Sequence, residues 1–328
     1  MLTLHGKSVL VTGGAGFIGS HLVDRLAAEE PANLVVVDNM FLGDVRNLSS
    51  ARSSYLALKL HGEDASDWDT MRDILVTEQV DVVFNLAVLP LPTSLDRPRW
   101  TVDVNMGIVT VLCELLREKH YETLIHFSSS EVYGTAQRVP MDEDHPVLPL
   151  TPYAASKAGG DHVALSYYHT FGLDIAIVRP FNVFGPRQND GSYAAVIPRV
   201  ISSALAGREV VIDGDGEQTR DFNFVREVVE VALRVYEKPE TRGRVCNVAQ
   251  GEERSVNSLV ERLLEACGVH VPVVHGPVRP GDVRRHSGSS AQTERLLGTY
   301  PRWPFEAGLA ETVAWYRERL TAGARDDS

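Results

Sequence analysis

The stretch Val11-Thr12-Gly13-Gly14-Ala15-Gly16-Phe17-Ile18-Gly19-Ser20 decides how this chain is read. It closes Ser8–Thr12, an apolar run of strand length, and opens Phe17–Ala28, where Ile18, Leu22, Val23 and Leu26 recur at helical spacing. Gly14, Gly16 and Gly19 satisfy G-x-G-x-x-G. Glycine permits a tight turn, close approach of the backbone to a pyrophosphate, and close packing of helix on sheet. The helix start then offers unbonded N–H groups and a partial positive charge to phosphates. The next apolar run, Leu34–Asp38, ends in an acid 19 residues beyond Gly19. That separation suits a ribose 2′-hydroxyl contact, and a carboxylate repels a 2′-phosphate, so NAD is expected rather than NADP. A merely structural glycine turn does not require strand, helix and acid together.

Working outward, Val80–Leu86, Leu124–Ser128 and Ile175–Pro180 repeat the buried-strand pattern, with amphipathic Val102–Arg117 between the first two. Continuous apolar runs joined by helices predict a parallel sheet covered on both faces. The expected fold is α/β, a Rossmann-type doubly wound parallel sheet over residues 1–180. After Phe181, Pro, Gly and Arg cluster in Gly185–Gly191 and Gly276–Gly288. Helices are predicted at Val196–Ala206, Phe224–Tyr236, Val256–Ala266 and Gly308–Leu320. Residues 181–321 are therefore expected to form mainly a smaller α/β substrate-binding lobe, and polar Ala322–Ser328 a frayed tail.

The 328 residues carry a net charge of −12 and no run of Lys or Arg, which argues against a nucleic-acid partner. Cys113, Cys246 and Cys267 lack metal-ligand spacing, so no metal is expected, and three unpaired thiols suit a reducing cytosol. No signal-like start is evident, and no apolar run approaches the roughly 20 residues that span a bilayer. The expected location is cytoplasmic, away from membranes.

Thr151-Pro152-Tyr153-Ala154-Ala155-Ser156-Lys157 reads as a capped helix start that puts Tyr153 and Lys157 on one face. A phenol titrating near 10 is a poor base at neutral pH, and an adjacent ammonium stabilises its phenolate. Alone, the pair reads as a solvated helix face; the glycine stretch gives it weight. Ser128-Ser129-Ser130-Glu131 follows a predicted strand at the sheet edge where ligands bind. Read alone, it is turn chemistry.

Together these segments resemble the extended short-chain dehydrogenase/reductase family of nucleotide-sugar epimerases, dehydratases and decarboxylases. Asp64-Ala65-Ser66-Asp67 is similar to the family's adenine contact, and Asn85-Leu86-Ala87 to its H-L-A-A segment with Asn in place of the usual His. Arg179–Arg187 resembles the family's R-x-F-N-x-Y/F-G-P-R segment, and Gly214–Phe222 and Arg279–Asp282 resemble the segments that hold the nucleotide diphosphate; Arg is the bidentate partner for phosphate oxygens. The resemblance implies catalytic Ser129, Ser130, Glu131, Tyr153 and Lys157. It implies NAD contacts at Gly13, Gly16, Phe17, Ile18, Gly19, Asp38, Asn39, Asp64, Ala65, Leu86, Ala87, Asn105, Ser128, Tyr153, Lys157 and Pro180. Substrate contacts fall on Asn182, Arg187, Val196, Arg220, Arg279 and Asp282.

By the same resemblance Tyr153 removes the C4 hydroxyl proton while NAD takes the hydride. Glu131 points past simple epimerisation to elimination at C5/C6. Ser130 stands where many hexose 4,6-dehydratases supply an acid, so UDP-glucuronate decarboxylation ranks first. Dehydration follows, because some N-acetylhexosamine 4,6-dehydratases also pair Ser with Glu, and 4-epimerisation comes third. A non-enzymatic NAD-binding scaffold would require a dead site, yet Ser129, Tyr153 and Lys157 are all present. The substrate is expected to be a UDP-linked sugar. Apolar Ile108, Val109, Val111 and Leu112 suggest a helix pairing with a second copy in a four-helix homodimer interface.

Overall fold

The computed structural model describes residues 2–326. Seven strands form one sheet: β1 (Ser8–Thr12), β2 (Asn33–Val37), β3 (Lys59–His61), β4 (Val82–Asn85), β5 (Thr123–Phe127), β6 (Asp174–Pro180) and β7 (Val245–Val248). The order is β3-β2-β1-β4-β5-β6-β7, every pair parallel. β1, β4 and β5 are buried throughout, as Val-rich strands covered on both faces must be. Val9 and Val11 pack toward the helices Phe17–Ala27 and Val225–Glu237. Leu10 packs toward the helix Pro98–Arg117, against Ile108 and Leu112. Each fully buried side chain of this size contributes about 1.5–3 kcal/mol.

The strand order reverses between β1 and β4, which opens a crevice at the carboxyl edge of the sheet. Register puts Thr12 beside Asn85 and Asn85 beside His126, a polar row across three strand ends at that crevice.

The expected boundary at 180 gives way to an interleaved chain. Val225–Glu237 and β7 return from the second half to complete the first sheet. The helix follows the predicted Phe224–Tyr236 periodicity, whereas β7 was not anticipated; that both join the first core is a tertiary outcome. β3 and the helix Trp68–Thr77 were not anticipated, β3 being three residues long and mixed in polarity. The smaller lobe pairs Asn182–Phe184 with Phe222–Phe224 and Val210–Asp213 with Val273–Gly276. Phe184, Ile201, Leu259, Leu263 and Tyr316 form its core.

The last helix runs Phe305–Asp326, so the backbone of the expected frayed tail is helical through Asp326. Ala322, Ala324 and Arg325 are good helix formers. Residues 327 and 328 lie outside the described residues. Ile108, Val109 and Leu112 are buried in this chain's own core and are spent on the sheet, not left for a second copy. No helix among the described residues is long and apolar enough to cross a membrane. Among those residues no cluster of His, Cys, Asp and Glu is placed to hold a metal ion.

Candidate active site

A cleft of about 520 Å³ lies along the carboxyl edge of the sheet and continues under the smaller lobe. Every residue assigned to catalysis, NAD or substrate in the sequence lines it, except Asn105.

At one end is the glycine turn. Gly13 has φ +67°, and a Cβ there would lie 2.7 Å from the Ala87 amide nitrogen. A Cβ on Gly19 would lie 2.1 Å from the Gly13 carbonyl oxygen, so that residue fixes how closely helix meets turn. Gly14 does not line the cleft; it makes room for Val36. The turn therefore uses Gly13, Gly16 and Gly19. Gly16 caps the helix Phe17–Ala27 without a side-chain acceptor, which leaves first-turn N–H groups for phosphate oxygens.

Asp38 follows β2 directly. Its carboxylate accepts from the amides of Ala15 (3.0 Å) and Met40 (2.9 Å), and burial pushes its pKa up. Gly43 admits it: a Cβ there would sit 2.5 Å from Asp38 Oδ1. Asp64 and Ala65 line the cleft, whereas Asp67 caps the Trp68 helix through the Thr70 amide. Asn105 binds the Leu89 amide (2.8 Å) and carbonyl (3.1 Å) and the Ser156 hydroxyl (3.0 Å). It pins the cleft wall to the helix Pro152–Phe171 and is a support instead of a cofactor contact.

Thr151 caps that helix through the Ala154 amide. Lys157 Nζ donates to the carbonyl of Phe127, the last residue of β5. Burial pushes the Tyr153 phenol up to about 12, Ser129 pulling it down and the charges of Glu131 and Asp161 pushing it further up. Burial pulls Lys157 down to about 8, against the charge of Asp161.

Ser128 turns its hydroxyl away from the cleft onto Asp161 (2.6 Å). The Ser130 carbonyl lies 3.1 Å from His286 Nε2, and Ser130 is buried. Among the described residues no donor holds the Glu131 carboxylate, whose charge acts on Tyr153, Arg220 and His286. On the smaller lobe, Arg220 (2.5 Å) and Arg279 (2.9 Å) converge on Asp282, and Arg220 also donates to the Val283 carbonyl (2.7 Å). Arg187 pairs with Asp24 at 2.6 Å. Val196 opens the helix Val196–Leu205, and Asn182 contacts His286 at 3.3 Å.

Asp161, His126 and His286 adjoin the site without having been singled out in the sequence. Asp161 was within reach, four residues beyond Lys157 on the same helical face.

The family model for GDP-mannose 4,6 dehydratase matches residues 10–312. The chain belongs to this family of extended short-chain dehydrogenase/reductases. Within the family it is 36% identical over 312 residues to the UDP-glucose 4-epimerase of Mycolicibacterium smegmatis, covering 94% of this chain and 98% of that one. It is 30% identical to the UDP-N-acetyl-alpha-D-glucosaminuronate decarboxylase of Bacillus cytotoxicus, over 95% of this chain and 98% of the relative. Among solved structures it superposes with a TM-score of 0.90 on the dTDP-glucose 4,6-dehydratase of Streptomyces venezuelae with NAD and TYD bound. Sequence identity there is 31%, over 96% of this chain and 98% of that one. One fold in the family thus carries three reactions.

Proposed function

We propose that the protein is an NAD-dependent nucleotide-sugar lyase that oxidises C4 and then eliminates at C5/C6. Loss of water from C6 is the form its side chains fit best, a nucleoside-diphosphate-hexose 4,6-dehydratase. The observation that carries this is Glu131: a cleft-facing carboxylate without a hydrogen-bond donor among the described residues, close enough to Tyr153 to act on it. A 4-epimerase needs no second base; an enzyme that deprotonates C5 does.

The cofactor is NAD. The uncapped helix start behind Gly16 suits its pyrophosphate, and Asp38 its ribose hydroxyls. When bound, NAD would take up the C4 hydride and deliver it to C6 once water has left, and its cationic ring would favour the phenolate of Tyr153. The chain's own residues do the rest. Tyr153 takes the C4 hydroxyl proton, and Ser129 shares it. Lys157 supports the charge. The 4-keto group acidifies C5, whose proton passes to Glu131. No acid stands at Ser130, so Glu131 hands that proton to the departing C6 oxygen; Tyr153, whose proton exchanges with solvent, returns one to C5 as C6 is reduced, which leaves the 4-keto sugar less one water.

Loss of carbon dioxide ranks second in this reading, a reversal of the order expected from Ser130–Glu131. A C6 carboxylate would face the Glu131 charge, and among the described residues each cation lining the cleft already has a protein acceptor: Phe127, Asp24, Asp213 or Asp282. The Bacillus cytotoxicus relative supports this second reading. A UDP- or dTDP-linked substrate follows from the named relatives.

Turnover in deuterated water tests the class. The lyase reading predicts solvent deuterium at C5 of the product, by NMR. Turnover with C5 hydrogen fully retained would overturn it in favour of a 4-epimerase. Assembly as a homodimer through Pro98–Arg117 and Pro152–Phe171 belongs to the same proposal. Support comes from half-buried Val102 and Met106 and exposed Phe171, and sedimentation at micromolar concentration tests it.

A further inference from the structure

Behind the catalytic pair lies a buried polar line that the reaction as described does not use. Its direction follows from counting donors and acceptors. Thr12 Oγ1 accepts from the amides of Leu86 and Ala87, both at 3.2 Å. Its own proton therefore goes to Asn85 Oδ1, 2.7 Å away. That turns Asn85 Nδ2 toward His126 Nδ1 at 3.0 Å, so Nδ1 accepts and the imidazole proton sits on Nε2. His126 Nε2 faces Asp161 Oδ1 at 3.7 Å, and neither atom has a hydrogen-bond partner among the described residues. The other oxygen, Asp161 Oδ2, accepts from Ser128 Oγ and Arg179 Nη2, each at 2.6 Å. Asp161, His126, Asn85 and Thr12 are all buried.

Asp161 also continues the catalytic face of its helix: Tyr153, Lys157 and Asp161 stand at successive intervals of four. We propose that Asp161, held by Ser128 and Arg179 and faced by His126, is a positioning residue that acts through Lys157 and Ser128 in the C4 oxidation. This rests on the C4 oxidation of the proposed function, not on which product is released.

Lys157 is buried, with one hydrogen-bond acceptor, Phe127, and one counter-charge, Asp161. Around it stand Tyr153 and Asp161 on its own helix and His126 and the Phe127 carbonyl on β5; Ser129 and Glu131, after β5, act on Tyr153, and Arg179 on β6 is paired with Asp161. Burial holds His126 neutral, its pKa far below the usual value. Asp161 is thus the anion that opposes desolvation of the ammonium, and an opposite charge at close range favours the charged form. The hydrogen-bonded line runs from the Leu86–Ala87 amides through Thr12 and Asn85 to His126, whose Nε2 stands 3.7 Å from the carboxylate four residues beyond the lysine.

Five lysines make the test direct. Lysine labelled with carbon-13 at Cε is followed by NMR against pH in the NAD-loaded protein, and the Lys157 signal is assigned by its loss in Lys157→Met. Asp161→Asn should move the Lys157 midpoint down by about one unit or more. Because that variant strands the Arg179 charge and its folding is at risk, the double variant Asp161→Asn with Arg179→Gln is titrated beside it. Arg179→Gln alone is the reference, because losing that cation also shifts Lys157; a double variant whose Lys157 midpoint equals that of Arg179→Gln shows a carboxylate that served only to neutralise Arg179, and overturns the proposal. A fall in the midpoint in the folded double variant below that of Arg179→Gln, with kcat lowered and KM unchanged, supports it. The titration needs no substrate, so its failure is separate from failure of the lyase reading.

Discussion

Lys157 donates to the carbonyl of Phe127, which ties the catalytic helix to the strand that delivers Ser128, Ser129, Ser130 and Glu131. One cation thus ties the helix of Tyr153 to the end of the strand that leads into Glu131, the proposed base and the proposed directing carboxylate. Its burial, with its pKa pulled down to about 8, gives the first prediction. The helper works as the charged form, so activity is lost as pH rises through that value. A falling limb of kcat/KM is expected near pH 8, since that ratio reports groups of the free enzyme. A profile flat from about pH 7 to 9 would contradict it.

Tyr153→Phe removes one oxygen from the cleft and nothing from the core. Turnover should fall by about a hundred- to ten-thousandfold, the usual contribution of a placed general base. NAD should remain bound, because the glycine turn and Asp38 are untouched. Retained turnover would refute the assignment of the base.

Glu131→Gln separates oxidation from elimination. With substrate, the variant should still form enzyme-bound NADH in a single turnover, while product formation drops by about a hundredfold or more. Loss of both together would assign Glu131 to the first step.

Gly19→Ala places a methyl 2.1 Å from the Gly13 carbonyl oxygen, and the helix must shift to accommodate it. Overpacking of this kind costs about 1–3 kcal/mol. A lower thermal midpoint and loss of NAD on gel filtration are expected; Gly14→Ala crowds buried Val36 away from the cleft and should lower the midpoint while retaining more NAD.

Much of this was legible in the sequence because local patterns carried it. The run into Gly13–Gly19, Asp38 at the end of β2, and Pro152 before Tyr153 each specify their own backbone. What stayed hidden depends on distant segments meeting. β7 shows no periodicity that distinguishes a seventh strand of the first sheet from a strand of the smaller lobe. Asn105 carries the polarity of a ligand contact yet is used to pin Leu89. Asn85 and His126 look unremarkable in sequence and gain meaning only from adjacent register on neighbouring strands.

The central claim is that C4 oxidation leads to loss of water. Its most direct test is mass spectrometry of products from the NAD-loaded protein with UDP-glucose, UDP-N-acetylglucosamine, dTDP-glucose and UDP-glucuronate. The account predicts that at least one neutral hexose substrate loses one water and gains a 4-keto group. Products of unchanged mass with C4 inverted, or carbon dioxide from UDP-glucuronate with no dehydration of any hexose, would contradict it.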